Sequence, residues 1–289
     1  MSLSQVSTPL SREQATALAD AVMEREDLAL TASAYEDQAS GEWVFEATTE
    51  MLPDLTAFEQ LARDVIGGEV GFTITPIDPT VNWVAKSLEG LKPVTAGRIY
   101  VYGTHDEGHL PAGLIPIRID AAQAFGTGHH ETTTGCLEAI DRILKRRRPR
   151  TMLDVGTGTG ILAIALAKRT HRLVIASDID PIATRTAAEN ARNNGVGPLI
   201  RTITAPGLNH RAIQLSGPYD VVVANILAAP LVAIAPAIAR AANHRAEIVL
   251  SGLLVSQTAR VASAYARQGV VLRHKLVRGD WATLMLQKA

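Results

Sequence analysis

The sequence predicts an α/β protein in which a doubly wound parallel sheet follows a small N-terminal α+β domain. From about residue 150, strand-like and helix-like segments alternate along the chain. Val174–Asp178 and Asp220–Asn225 are nearly continuous apolar runs that end in a polar residue. Such runs are typical of strands that are buried on both faces of a parallel sheet. Because ligands of such sheets bind outside the carboxyl ends of the strands, functional residues are expected at the polar ends of these runs.

The first 76 residues have a different order, βαββαβ, which predicts a ferredoxin-like domain over residues 1–76. In its first helix, expected over residues 11–26, Ser11 and Gln14 have the spacing of a capping box. A linker over residues 77–95, with a short helix near Asn82–Leu91, leads to the second domain at residues 96–289. The other elements expected in the first domain are strands at Gln5–Thr8, Leu28–Tyr35, Trp43–Thr49 and Gly71–Ile77 and a helix at residues 54–67.

The composition is that of an ordinary globular protein, with 47% apolar and 20% charged residues in a chain of 289. The net charge of −1 gives the whole chain no general attraction to nucleic acid or to anionic lipid. A single cysteine allows no internal disulfide, which fits a reducing compartment. The N-terminus has neither a basic start nor an apolar run, so no signal peptide is expected. We therefore predict a cytoplasmic protein with no membrane partner and no DNA partner.

One segment, Val221–Ala239, is long enough and apolar enough to be compared with a membrane span. It has 19 residues and no charge, close to the length that crosses a bilayer. However, it contains Asn225, Pro230 and Pro236. A buried strand followed by a helix bounded by proline accounts for these residues better, and this is the interpretation we adopt.

The segment Leu153–Gly160 places glycines at alternate positions between an apolar strand and the helix-forming sequence ILAIALAK. Glycines such as Gly156 and Gly158 let the backbone pass close to a ligand at a helix N-terminus. Asp178 lies 22 residues after Gly156, a spacing at which an acid reaches the ribose hydroxyls of a nucleotide-like cofactor. With Asp154 at its start, this G-x-G-x-G loop resembles the S-adenosyl-L-methionine (AdoMet) site of seven-stranded AdoMet-dependent methyltransferases more than a nicotinamide site, and the resemblance implies that fold. The alternative is a structural turn with an exposed aspartate.

Two polar residues near the strand ends receive different interpretations. Asp180 precedes Pro181 and a helix-forming segment, so it is predicted to be an N-cap and not a metal ligand. Asn225 ends the fourth strand expected in the second domain. There its amide oxygen can accept hydrogen bonds from an amine and aim the nitrogen lone pair at a methyl group. Methylation needs the neutral amine, and because no strong base is evident, loss of the proton to water is expected. The alternative for Asn225 is a turn residue that caps the next helix.

Five segments in this order resemble the bacterial PrmA family, the methyltransferase of large-subunit ribosomal protein eleven: FGTGHHETT, DVGTGTGILAIA, SDIDPIA, ENARNNGV and VVVANILAAPL. The resemblance is strong over residues 96–289 and looser before them. It implies AdoMet-dependent methylation of lysine ε-amines and of the N-terminal α-amine of that ribosomal protein, free or before ribosome assembly, with S-adenosyl-L-homocysteine as product. It also implies that the N-terminal domain recognises the protein substrate. By position it assigns cofactor contacts to Thr133, Gly156, Asp178 and Asn225.

The segment FGTGHHETTT, Phe125–Thr134, is interpreted as a loop and helix start that cover the cofactor. Phe125 is expected to supply an apolar wall, and Thr133 to hydrogen-bond the methionine end of AdoMet. His129 and Glu131 stand where the family pattern has threonine and proline, which affects the loop geometry and not the expected reaction. Metal binding by this segment is disfavoured, because adjacent histidines point apart on regular backbone and no zinc-ligand spacing is present. No metal is therefore expected.

Three further features receive structural interpretations. Cys136 is expected to be a small buried helix residue and not a nucleophile, since nothing nearby in the sequence marks it as activated. Trp281 is expected to begin the last strand in a core or edge position, and stacking on a ligand is the alternative. The basic run Lys145–Arg150, KRRRPR, is expected to be solvated surface at a helix end, and contact with RNA is the alternative.

Two other functional classes stay open at this point. One is an AdoMet-dependent methyltransferase that acts on another protein lysine or on a small-molecule amine; the presence of an N-terminal domain favours a protein substrate. The other is a non-catalytic module that binds AdoMet or RNA. The presence of both Asp178 and Asn225 favours catalysis over that second class.

Overall fold

The chain forms two compact units, Met1–Trp83 and Val84–Ala289. The computed structural model describes residues 3–23, 25, 28–29, 31–37, 41–50, 53–77, 93–103, 110–119 and 129–289. The linker helix expected near Asn82–Leu91 and the apolar wall expected from Phe125 lie outside the described residues. The roles of the two units stay predictions.

The first unit has the βαββαβ order and an antiparallel four-stranded sheet. The strands follow one another in the sheet as β2-β3-β1-β4, and each neighbouring pair is antiparallel. This arrangement is the ferredoxin-like one, in which the two helices cross between strands that are not neighbours in the sheet. The elements are β1 (Leu3–Leu10), α1 (Arg12–Met23), β2 (Thr31–Glu36), β3 (Trp43–Glu50), α2 (Leu55–Ile66) and β4 (Thr73–Ile77).

Both helices of this unit cover the same face of the sheet. Leu18 of α1 and Phe58 of α2 are fully buried against Val6 of β1 and Phe45 of β3. The rings of Phe45 and Phe58 lie 6.4 Å apart in a tilted pair. α2 begins at the N-cap Asp54, whose carboxylate accepts from the backbone of Ala57, and this cap fixes the start of the helix.

The second unit begins with a small three-stranded sheet. Its strands are β5 (Val94–Ala96), β6 (Ile99–Tyr102) and β7 (Ile115–Arg118), in the order β5-β6-β7. β5 and β6 form an antiparallel pair, and β6 is parallel to β7. Val94 and Thr95, which the sequence interpretation gave to the linker, therefore lie in a strand, because each is paired with a residue of β6.

A seven-stranded sheet forms the centre of the second unit, as the α/β prediction requires. Its order is β10-β9-β8-β11-β12-β14-β13; the first five strands are parallel, and β14 is antiparallel to both of its neighbours. The elements are α3 (His129–Arg146), β8 (Met152–Val155), α4 (Ile161–Thr170), β9 (Val174–Asp178), α5 (Pro181–Asn193), β10 (Ile200–Thr204), α6 (Arg211–Ser216), β11 (Tyr219–Asn225), α7 (Ala228–Ala241), β12 (Ala242–Leu254), α8 (Thr258–Ala266), β13 (Val270–Arg278) and β14 (Trp281–Lys288).

Alternate residues of the central strands face opposite layers of helices. In β8, Met152 packs in the core that contains α3 and α4, whereas Leu153 packs in the core that contains α7 and α8. β11 alternates in the same way, with Val221 and Val223 on the first side and Val222 on the second. This burial on both faces is the physical reason for the continuous apolar runs in the sequence.

The apolar segment Val221–Ala239 forms most of β11 and most of α7, as interpreted. The expectation that prolines bound the helix is wrong for Pro236. Pro236 lies inside α7 instead of at its end. A proline inside a helix removes one backbone hydrogen bond, and the fully or nearly fully buried neighbours Leu231, Ala235 and Ile238 offset that loss by packing. Within the described residues, no helix has both the length and the apolar character needed to cross a bilayer.

Candidate active site

The carboxyl ends of β8, β9 and β11 meet at the point where the strand order reverses. The chain goes from β8 to β9 on one side, whereas β11 lies on the other side of β8. Ligands of open α/β sheets bind at such a point. A cavity of about 430 Å³ opens there, and its lining comprises Val155, Gly156, Ser177, Asp178, Ile179, Ala205, Gly207, Asn225, Ile226, Leu227, Pro230, Ile234, Gly252 and Trp281.

The glycine loop passes so close to its neighbours that a side chain at its first glycine has no room. The amides of Gly156 and Thr157 donate to the carbonyl of Ser177 over 2.8 and 2.9 Å, which fixes the loop to the end of β9. Gly156 has φ +70°, and a Cβ added there would lie 2.2 Å from Cγ2 of Ile226. Both the left-handed backbone and the close approach therefore require glycine at this position.

Asp154 supports this loop from within the core. It is fully buried, and its Oδ2 accepts from the hydroxyl of Thr157 over 2.7 Å and from the amide of Ala163 over 3.1 Å. Burial raises the pKa of Asp154 to about 7, and the nearby charge of Asp178 acts in the same direction, whereas the two hydrogen bonds oppose the rise. The side chain thus ties the loop to the first turn of α4 and does not line the cavity.

Asp178 is held at the edge of the cavity by two backbone donors. The amide of Gly158 donates to its Oδ2 over 2.9 Å, and the amide of Asp180 donates to its Oδ1 over 3.1 Å. Each carboxylate oxygen has a further lone pair, so the group can still accept from a ligand hydroxyl. Asp180 itself accepts from the amide of Ile182 over 2.7 Å at the start of α5, which confirms that it is an N-cap.

Asn225 and Thr133 come from different elements and meet at the cavity. The amide nitrogen of Asn225 donates to Oγ1 of Thr133 over 3.3 Å. The amide oxygen of Asn225 is buried and has no hydrogen-bond partner among the described residues. A buried acceptor without a partner is costly, and a ligand donor placed at this oxygen removes that cost.

A group of hydroxyls fixes the first turns of α3 to the sheet and thereby positions Thr133. The hydroxyl of Ser251 lies 3.3 Å from the carbonyl of Thr132 and 2.8 Å from the hydroxyl of Thr283. Gly135 lets the helix approach, since a Cβ there would lie 2.3 Å from Oγ1 of Thr283. These contacts hold α3 against β12 and β14 at the same edge of the sheet as the cavity.

The cavity lining includes residues that the sequence interpretation did not assign to the site. Ile179 directly follows the end of β9 and is 72% exposed, and Leu227 lies two residues after the end of β11 and is 58% exposed. Gly252 has φ +82° and a Cβ there would lie 2.5 Å from the carbonyl oxygen of Ile226. The first two could have been found from their positions just after a strand, whereas only the fold brings Gly252 to this place.

Trp281 begins β14, as expected, but it also lines the cavity and is not limited to a core or edge role. The reason is the antiparallel pairing of β14 with β12, in which Trp281 lies opposite Leu254. An antiparallel strand starts at the edge where its parallel neighbours end. The first residue of β14 therefore reaches the carboxyl ends of β8 and β11.

The predicted site residues take the following places. Gly156, Asp178 and Asn225 line the same cavity, Gly158 binds the carboxylate of Asp178, and Thr133 binds Asn225. The donor set suits AdoMet, because a glycine cradle, a carboxylate and an amide oxygen without a partner surround a space of about 430 Å³. Cavities that bind cofactors commonly have about 300–1,000 Å³.

The alternatives for the segment around α3 were a metal site and a reactive cysteine. Within the described part of the chain, no three histidine, cysteine or acidic side chains are grouped in a way that could hold a metal ion. Cys136 is fully buried in α3, and this burial raises the pKa of its thiol to about 12. A thiol with so high a pKa is protonated at neutral pH, which confirms its interpretation as a buried helix residue.

Comparison with known proteins gives one family over nearly the whole chain. A profile of the family described as "Ribosomal protein L11 methyltransferase (PrmA)" matches residues 5–289. A protein named Ribosomal protein L11 methyltransferase from Rhizobium meliloti (strain 1021) is 42% identical over 287 residues, covering 96% of this chain and 97% of that protein. A protein of the same name from Rhizobium etli (strain CIAT 652) is 50% identical over 227 residues, covering 78% of this chain and 73% of that protein.

A solved structure is also similar. The crystal structure of a ribosomal protein L11 methylase from Lactobacillus delbrueckii subsp. bulgaricus has a TM-score of 0.61 to this chain at 28% sequence identity. The match covers 69% of this chain and 99% of the Lactobacillus chain. This similarity and the order of the seven strands confirm the predicted fold class.

Proposed function

Because the chain belongs to the PrmA family of ribosomal protein L11 methyltransferases, we propose that it methylates lysine ε-amines and the N-terminal α-amine of ribosomal protein L11. AdoMet is the methyl donor, and transfer is a direct in-line displacement. We expect the enzyme to act in the cytoplasm on the ribosomal protein when it is free or not yet assembled. The observation that carries the chemistry is the buried, unpartnered amide oxygen of Asn225 at the cavity.

The cavity residues have separate tasks in holding the cofactor. When bound, AdoMet supplies an electrophilic methyl group on a sulfonium sulfur. The carboxylate of Asp178 is assigned to accept hydrogen bonds from the ribose hydroxyls, because its two oxygens are already oriented by the amides of Gly158 and Asp180. Gly156 leaves room for close approach of the ligand to the backbone. Thr133 and Phe125 complete the set that we assign to the cofactor.

Asn225 is assigned to the amine. Its amide nitrogen is engaged by Thr133, so the amide cannot turn over without breaking that bond, and its oxygen has no described partner and can accept from an incoming donor. An amine N–H that donates to this oxygen has its lone pair directed away from Asn225. Holding the nucleophile in one orientation reduces the entropy that the transition state must lose.

The amine loses its proton before it docks. A lysine amine has a pKa of ~10.4 and an α-amine ~7.7–8.0, so most of the lysine is charged at neutral pH. Asp154 does not act as the base, because it is fully buried behind the loop and does not line the cavity. Among the described lining residues the only carboxylate is Asp178, which is assigned to the ribose, so we expect release to water. The rate should then rise with pH while the amine titrates.

The N-terminal unit is assigned to recognition of the protein substrate, and its charge supports this. Its residues 1–76 hold 14 of the 29 acidic residues of the chain but only 3 of the 28 basic ones. Proteins that bind RNA carry cationic surface, so a ribosomal protein presents the opposite charge to this unit. Electrostatic attraction of this kind raises the rate of encounter and depends on salt.

Mass spectrometry of purified L11, incubated with the enzyme and isotopically labelled AdoMet, tests the proposal directly. We expect added methyl groups on lysine residues and on the N-terminal amine, and much slower addition with the Asn225→Ala variant. A second basic ribosomal protein serves as the control substrate. Methylation of the control protein at an equal rate would favour the alternative of a different protein-lysine substrate, and AdoMet binding without any turnover would favour a non-catalytic module.

A further inference from the structure

A second cavity, of about 630 Å³, lies at the end of α3 opposite to Thr133. It is formed where the last turns of α3 face the edge strand β13 and the neighbouring strands β12 and β14. Most of its lining side chains are cationic or can carry a proton; the lining comprises Arg142, Lys145, Arg146, Glu247, Arg273, His274, Met285 and Gln287. The basic run expected to be solvated surface thus contributes to a concave site shared by separate elements.

The positive charge of this basic cavity exceeds its negative charge. Glu247 is the one acid among the described residues that line it, and its side chain is only 13% exposed. Its carboxylate lies 3.8 Å from Nη1 of Arg147 and accepts from the amide of Gln287 over 3.4 Å. Little of that negative charge is available to Arg146 or Arg273, both of which are exposed.

Two elements bring their donors together at this place. Nη1 of Arg142 in α3 lies 2.8 Å from Nε2 of His274 in β13. Nε of Arg146 donates to the carbonyl of Arg142 over 3.2 Å, which leaves the terminal nitrogens of that guanidinium able to bind a ligand.

We propose that this basic cavity binds the phosphate backbone of RNA. Guanidinium groups match the geometry of phosphate oxygens with paired donors, and three of the lining side chains are arginines. No phenylalanine, tyrosine or tryptophan is present among the described lining residues, which favours contact with the backbone over stacking on bases. The choice of RNA over other polyanions rests on the proposed ribosomal substrate. The assignment of a polyanion site does not, because it follows from the cationic side chains that line the cavity.

The distribution of charge along the chain supports this assignment. Residues 77–289 hold 25 basic and 15 acidic residues, so the surplus of positive charge lies in the sequence that contains the cavity. The overall charge of −1 conceals this difference, because the acidic residues are concentrated in the N-terminal 76. The net charge of the chain is therefore no guide to local attraction for RNA.

Fluorescence anisotropy with a labelled 20-nucleotide single-stranded RNA of mixed sequence tests the proposal. The wild type is compared with Arg142→Gln/Arg146→Gln/Arg273→Gln and with a matched control, Arg211→Gln/Arg260→Gln/Arg267→Gln, which removes three exposed arginines elsewhere. Loss of three phosphate contacts should reduce the slope of log K against log salt by about 2. We expect that reduction in the cavity variant only, with methylation of free L11 unchanged in both variants.

Equal slopes for the two variants would overturn the proposal, because the effect would then come from net charge alone. Equally tight binding of poly-glutamate would also overturn it, in favour of an acidic protein, and competition by inorganic phosphate alone at the concentration of RNA phosphate would indicate a free-anion site. If the cavity variant does not fold, protection of Lys145 from acetylation is measured in the wild type. The amine of Lys145 pairs with Asp141 over 2.8 Å, but its side chain is 63% exposed. RNA should protect this amine further, and an absence of protection contradicts the site.

Discussion

The amide nitrogen of Asn225 donates to the hydroxyl oxygen of Thr133 over 3.3 Å, and this bond joins the end of β11 to the second turn of α3. The hydroxyl of Thr133 is thereby an acceptor for Asn225 and remains able to donate its own hydrogen. The amide oxygen of Asn225 is left as a buried acceptor without a described partner. The pair therefore offers one donor and one acceptor to the cavity from two elements that the core holds rigidly.

The first prediction concerns the rate of methyl transfer. Asn225→Ala should lower the single-turnover rate at saturating AdoMet by ~10²–10³, as expected for one positioned polar contact in a closed site. Its AdoMet affinity, measured by calorimetry, should fall only modestly. Asn193→Ala, an exposed change at the end of α5, is the matched control and should have the wild-type rate. A wild-type rate for Asn225→Ala once AdoMet saturates would make the residue a cofactor ligand only.

Asn225→Asp provides a second readout at the same position. A carboxylate has nearly the same shape as the amide and still accepts a hydrogen bond, but it loses the donor to Thr133 and attracts the charged ammonium form. Because only the neutral amine reacts, the pH profile of the rate should move to higher pH, and the rate at neutral pH should fall. A pH profile identical to that of the wild type would speak against contact between Asn225 and the amine.

The second prediction separates two neighbouring aspartates. Asp178→Ala should weaken AdoMet binding by more than 10-fold, since hydrogen bonds to a charged group are worth ~1.5–3 kcal/mol each. Asp180→Ala is the control, because it removes the N-cap of α5 and should cost ~1 kcal/mol of folding stability with little loss of AdoMet affinity. Calorimetry on both variants measures their AdoMet affinity and so tests this difference. Unchanged affinity in Asp178→Ala would refute the ribose assignment.

The third prediction uses two glycines of the same loop. Gly156→Ala places a Cβ 2.2 Å from Cγ2 of Ile226, whereas nothing lies within 4 Å of the equivalent atom at Gly158. Both positions have positive φ, so Gly158→Ala reports the backbone strain alone. We expect Gly156→Ala to lose much more AdoMet affinity and thermal stability, and Gly156→Ala/Ile226→Ala to recover part of the stability. Equal effects of the two single changes would exclude a role for the close approach.

The fourth prediction concerns the N-terminal unit. Deletion of residues 1–76 should leave AdoMet affinity nearly unchanged, because the second unit has its own core and contains the described cavity residues. Methylation of full-length L11 should be abolished, since the acidic unit is proposed to bind the substrate. Calorimetry checks the first outcome and mass spectrometry the second. A truncated enzyme with the kcat/KM of the full chain would place substrate recognition elsewhere.

The fifth prediction is a dependence of stability on pH. Burial raises the pKa of Asp154 to about 7, so the folded protein holds this proton more tightly than the unfolded chain does. The resulting stabilisation is present at low pH and is lost as pH rises towards the folded pKa. Relative to Asp154→Asn, the wild type should therefore lose about 2 kcal/mol of unfolding free energy between pH 5 and pH 7.

Urea unfolding at several pH values measures this difference. Asp220→Asn is the control. Burial acts to raise the pKa of Asp220, but hydrogen bonds from Arg150, Asn243 and Thr151 outweigh it and hold the pKa below its usual value. The group is then ionised throughout the interval in both the folded and the unfolded chain, so the difference from wild type should stay constant. A constant difference for Asp154→Asn as well would show that its carboxyl titrates normally.

Local sequence was sufficient for much of the fold and for the approximate place of the site. The apolar runs that end in Asp178 and Asn225 predict buried parallel strands, because only a strand covered on both faces needs apolar residues at consecutive positions. The alternation of strands and helices then fixes the class, and the glycines after Asp154 mark the loop. These signals lie within one or two elements, so they can be recognised without knowing which elements meet.

Contacts between distant parts of the chain were decided by tertiary structure alone. Trp281 reaches the cavity only because β14 runs antiparallel to β12, and Gly252 is needed only because Ile226 approaches it. The bond between Asn225 and Thr133 joins residues 92 positions apart. No local periodicity reports such pairs, since the same residue types fit a core strand or a turn equally well.

For the basic run Lys145–Arg150, too, the sequence predicts one part and the tertiary structure decides the other. The sequence shows its charge and its place at a helix end, and these predict solvated surface. Arg142 and Arg146 line one cavity with Arg273 and His274 only because β13 packs beside α3, and this edge strand is more than a hundred residues away in the chain. Sequence fixes which charges a protein carries, but the electrostatic interaction between them depends on distance, and distance is set only when the chain has folded.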